Sequence, residues 1–94
     1  MSALPFLTKS KGASAEEAFK AAQTRIMFEH GTDCGGTLAR KESFVMIDAD
    51  GWCPQTLANE LVTDNDPRIA DKWGPAGCIK LRDQEYLFFG WASS

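Results

Sequence analysis

The chain has 94 residues, 10 Lys plus Arg against 13 Asp plus Glu, a formal net charge of −3 and 44% hydrophobic residues, the composition of one ordinary globular domain. It has too much apolar material for a disordered tail, and no run reaches the roughly 20 apolar residues of a membrane-spanning helix. The acidic balance also excludes a charge-driven nucleic-acid binder, which carries a basic stripe.

Residues 1–13 read as a loosely held, flexible lead-in, because Lys9, Ser10, Lys11 and Gly12 are polar or conformationally free. The apolar stretch before them is interrupted by Pro5 and falls short of the roughly 7–15 residues of a secretory core. Cys34, Cys53 and Cys78 make an odd set with no close pairing, which is a poor disulfide framework. The expectation is a cytoplasmic protein whose reduced thiols pack as small hydrophobes.

Residues 14–94 read as a single α+β domain. Ser14-Ala15-Glu16-Glu17 is a capping box, in which the Ser14 hydroxyl accepts from the Glu17 amide and Glu17 reaches back. Ala15, Ala18, Phe19, Ala22 and Ile26 follow as one apolar stripe at helical period. Gly31 supplies a left-handed stop, so the sequence predicts a helix over 15–30. After a glycine-rich loop, 37–40 and 43–47 read as two short strands of a hairpin, the second strongly β-prone. A second helix is expected from Pro54, a favoured first position. A short third helix is expected from Pro67 to Trp73, with Ile69, Ala70 and Trp73 on one side. The C-terminus reads as a hairpin of 78–82 and 85–91 turning near Asp83-Gln84, with 86–89 central in the sheet or covered on both faces. The predicted architecture is a small antiparallel sheet of about four strands in two hairpins, with the helices on one face.

The chemical motifs are sparse. His30 is the only histidine, and its spacing to three scattered cysteines does not match the close ligand pairs of a structural zinc site. Thiol catalysis needs a base within hydrogen-bond reach, and only Cys34 lies near His30 in sequence. Asp48-Ala49-Asp50-Gly51 lacks the remaining ligands of a calcium loop, and acidic residues at element ends are turn formers and caps. No metal, no cofactor and no catalytic set is assigned.

Two glycine-rich segments stand out, Gly31–Thr37 and Gly74-Pro75-Ala76-Gly77, beside Lys41, Lys72 and Trp73. Glycine lets backbone approach a ligand and exposes amides to anions. The candidate binding residues are therefore Gly35, Gly36, Thr37, Lys72, Trp73, Gly74 and Gly77, with Trp73 as an aromatic wall. Trp52 and Trp73 adjoin loops and suit a contact surface. Trp91 reads as core.

Phe28-Glu29-His30-Gly31, Gly36-Thr37-Leu38-Ala39-Arg40-Lys41, Asp71-Lys72-Trp73-Gly74-Pro75-Ala76-Gly77-Cys78 and Tyr86-Leu87-Phe88-Phe89-Gly90-Trp91-Ala92-Ser93 together resemble small proteins of no established activity carried by bacteriophages and some of their hosts. The resemblance runs from about residue 15 to 93. In that pattern an aromatic precedes the glycine-threonine pair, whereas here Cys34 lies near that place. The resemblance implies a setting rather than a reaction. The expected function is a small non-enzymatic binding protein, phage-borne and acting on a host component such as a bacterial defence system, or binding a small anionic ligand. The alternative is a small enzyme using Cys34 with His30, or an aspartate-bound metal.

Overall fold

A computed structural model describes residues 3–31 and 37–93, with His30 described in its backbone only. In chain order the elements are β1 (Ala3–Lys11), α1 (Ala15–His30), a 3-10 turn (Leu38–Arg40), β2 (Phe44–Met46), α2 (Pro54–Thr63), β3 (Ala76–Arg82) and β4 (Glu85–Ser93). One mostly antiparallel sheet holds the four strands in the order β1-β4-β3-β2, so the α+β class holds. Among the described residues no helix is long and apolar enough to cross a membrane.

The lead-in reading is corrected first. Residues 3–11 form an edge strand paired with β4 along its whole length, from Ala3 opposite Ser93 to Lys11 opposite Glu85. Phe6 and Ser10 turn inward and are buried, and the Ser10 hydroxyl donates to Ala18 O at 2.7 Å. A proline-bearing segment with a polar second half serves as an edge strand because only one of its faces needs apolar residues.

Helix α1 follows its local signals closely. The Ser14 hydroxyl accepts from Glu17 N at 3.2 Å. Gly31 ends the helix at φ 64, its amide bonded to Met27 O. The stripe Ala18, Phe19, Ala22 and Ile26 is buried, and Phe19 meets Phe44 and Phe88 with ring centroids 5.1 and 5.5 Å away.

The first predicted hairpin does not form. Residues 38–40 are a 3-10 turn whose Leu38 is fully buried against α1. β2 pairs parallel with β3 instead, Phe44 opposite Ala76, leaving β3–β4 as the hairpin joined at 83–84. The predicted third helix is also absent. Ile69 and Ala70 amides both bond Asp66 O, closing one turn that goes no further. Ile69 from that turn is fully buried.

The helices do not share a face. In β4, Tyr86 and Phe88 join the α1 core, while Leu87 and Phe89 join a second core with Ile47, Ala58, Ile69 and Ile79 under α2. The strand pairings make β1, β2 and β3 point the same way. The chain therefore crosses from β1 to β2 through α1 and steps back from β2 to β3 through α2. Right-handed crossovers travelling in opposite directions lie on opposite faces of a sheet.

Candidate functional site

The corner Asp71–Gly74 leads into β3 and is built on Lys41. Lys41 is 3% exposed, and its Nζ donates to Asp71 O at 3.1 Å, Lys72 O at 3.3 Å and Gly74 O at 3.0 Å. Burial pulls its pKa below the usual lysine value, and the Asp71 carboxylate works against that shift. A buried ammonium is tolerated only when its donors are satisfied, and here three carbonyls accept from it. The Gln23 amide in turn donates to Leu38 O and Lys41 O, so α1, the 3-10 turn and the corner form one connected unit. Asp71 completes it, its carboxylate accepting the Trp73 amide at 2.9 Å and its carbonyl the Gly74 amide at 2.9 Å.

On this support Trp73 stands out, 70% exposed. The Lys72 Nζ lies 5.6 Å from its ring centroid, within cation–π range. Gly74 is close to Asp71, where an added Cβ would come to 3.1 Å from the Asp71 Cβ. Gly77 has a different reason to be glycine: a Cβ there would stand 2.5 Å from the Phe89 ring. Its place is within β3, beneath that ring. Thr37 precedes the 3-10 turn and is half-buried. Gly35 and Gly36 lie outside the described residues, as does Cys34. Within the described part, the side chain that meets the corner is that of Lys41.

The cysteines differ from one another. Cys78 is buried in the α1 core, and burial pushes its thiol up to about 12. Cys53 does not pack as a hydrophobe: it is exposed at the N-cap of α2, directly before Pro54. Its side chain closes no capping hydrogen bond. Even so, the Thr56 amide, the Thr56 hydroxyl and the Gln55 amide hold its pKa below the usual thiol value. Helix N-termini favour thiolates in this way. The signal was present in the sequence: proline at the first helical position makes the preceding residue the cap, and that residue is Cys53.

The aspartates act as turn formers. The Asp48 carboxylate accepts the Asp50 amide at 3.0 Å, and Asp66 accepts the Arg68 amide and pairs with its guanidinium at 2.9 Å. Among the described residues no group of three His, Cys, Asp or Glu converges to hold a metal. Of the tryptophans, Trp52 is exposed, and Trp91 is half-buried with Nε1 donating to Val62 O at 3.2 Å. Comparison with family models, with curated proteins and with solved structures finds no match.

Proposed function

We propose that this chain is a small binding protein without a reaction of its own, acting in the cytoplasm on a host protein through the corner Lys72–Gly74. The observation that carries the reading is an indole 70% exposed on a turn anchored from beneath by a buried ammonium. Tryptophan gives the largest anchor for its ordering cost, and a preorganised turn reduces that cost further. A protein partner is favoured over a small anion because the Trp73 and Gly74 amides are already bonded to Asp71. The corner therefore presents no backbone nest for an anion. A phage setting rests on the resemblance of the sequence segments.

An enzymatic reading draws on Cys53, whose thiolate is favoured at an exposed position. The groups that favour it are amides and a hydroxyl, with no histidine or carboxylate among them. Among the described residues no base that could carry protons in thiol catalysis acts on it, so binding remains the better-supported function.

The test is affinity capture from a bacterial lysate with the parent and a Trp73→Ser variant, identified by mass spectrometry. Removing an exposed side chain changes stability by about 0.5 kcal/mol or less, so the variant stays folded. A captured protein held by the parent and lost by Trp73→Ser supports the corner. Identical capture by both overturns it. Thermal shift with nucleotides and divalent metals tests the ligand alternative.

A further inference from the structure

The two edges of the sheet are finished differently. Gly12 N–H donates to Gln84 O, and the β1–β4 register then turns the even-numbered residues of β1 toward β4 and the odd-numbered ones outward. Pro5 occupies an outward position with no N–H to offer. The Arg25 guanidinium takes the outward Lys9 carbonyl at 3.2 Å. Both devices close an edge to further pairing.

Among the described residues β2 has no such guard. Ala76 N–H donates to Ser43 O and Ile47 N–H to Cys78 O, so the odd-numbered residues here face β3. Phe44 and Met46 direct their N–H and C=O groups outward, and among the described residues nothing pairs with them. Alongside runs a groove of 290 Å³ with Phe19 and Phe44 at its floor and Glu16, Lys20 and Glu42 at its rim. The charge around this edge leans acidic, although Lys80 lies in the groove beside Met46 and Asp48, where it pairs with Asp83 at 3.7 Å. Exposed Glu42 stands at one end and exposed Asp48 at the other, while Lys20 already pairs with Glu16 at 3.3 Å.

We infer that the β2 edge accepts an extended, basic segment of a partner protein as a fifth strand. One apolar side chain seats on the Phe19–Phe44 floor, and flanking Lys or Arg residues face Glu42 and Asp48. Backbone pairing supplies affinity in this mode and alternate side chains supply specificity. Phe44 and Met46 limit the joint to four backbone hydrogen bonds, so charge complementarity matters to the choice of partner. The same charges disfavour a second copy. Antiparallel pairing that sets Phe44 on Met46 of another copy also sets Glu42 on its Asp48, with like charges opposed. This surface is separate from the Trp73 corner and does not rest on it.

The test uses the full chain and three capped peptides: Lys-Val-Leu-Val-Leu-Val-Lys, Glu-Val-Leu-Val-Leu-Val-Glu, and the first with both leucines N-methylated. Binding is read at low salt from the NMR shifts of the Phe44 and Met46 amides. The basic peptide is expected to bind at least about tenfold tighter than the acidic one and to lose binding on N-methylation. The double variant Glu42→Lys/Asp48→Lys should reverse the charge preference. Absence of binding by the basic peptide, equal affinity for both charges, or unmoved Phe44 and Met46 amides overturns the proposal. So does a sedimenting dimer in which those amides are protected from exchange, which assigns the edge to a second copy.

Discussion

The two faces of the sheet are filled in different ways. The α1 face is built by one sixteen-residue helix with a continuous stripe, closed by the ring cluster of Phe19, Phe44 and Phe88. The α2 face is assembled from pieces. It combines a ten-residue helix, Ile69 from a single turn, and Phe89 lying where Gly77 leaves room. The first face rests on local pattern that the packing confirms. The second rests on fits between residues far apart in sequence, any one of which is invisible locally. The corner that carries Trp73 lies on the path from α2 to β3, and Lys41 ties it back to the 3-10 turn beneath α1.

The comparison is broken most severely on the α1 face. Phe19→Ala removes a ring that is 5% exposed, and should cost about 3–5 kcal/mol in urea denaturation. A loss below about 1 kcal/mol would mean that the ring cluster does not hold this face. Lys41→Ala comes next. It strips three carbonyls of a charged donor, for an expected loss of about 1.5–3 kcal/mol, with faster amide exchange at Gly74. A stable variant with an unchanged corner would show that the two faces are joined elsewhere. Gly77→Val tests the α2 face. Its side chain meets the Phe89 ring and should cost about 1–3 kcal/mol as overpacking. Combining it with Phe89→Leu should recover part of that loss, whereas additive costs would disprove the proposed fit.

The cysteines sharpen the contrast with smaller effects. Iodoacetamide near neutral pH should modify Cys53 in the native state and spare Cys78 until the fold opens. Thr56→Val should shift the Cys53 alkylation profile to higher pH, because it removes a hydroxyl that favours the thiolate. The buried thiol also links stability to pH. Unfolded Cys78 titrates near 9.0 and folded Cys78 near 12, so in that window the unfolded chain loses a proton that the native state keeps. Stability from this group therefore falls as pH rises from 9.0 toward 12. Lys41 acts in the opposite sense, since its folded pKa is lowered and the native state releases its proton first. The urea midpoint of Cys78→Ala should consequently fall less, or rise, over the alkaline range in which the parent declines.

The sequence by itself determined what is local. The capping box at Ser14, the stripe from Ala18 to Ile26 and the stop at Gly31 are short-range interactions, and α1 carries all of them. The start of α2 at Pro54 and the turn at 83–84 were legible for the same reason. Tertiary structure decided what depends on distant partners. Residues 3–11 became a strand because β4 offered nine partners, and β2 turned from a hairpin to a parallel pair because α2 carries the chain back to β3 on the opposite face. Lys41 looks like any surface lysine in sequence. It became the anchor of the corner only when the fold brought the carbonyls of Asp71, Lys72 and Gly74 around its ammonium. A buried charge needs partners, and those partners lie 30, 31 and 33 residues away in the chain.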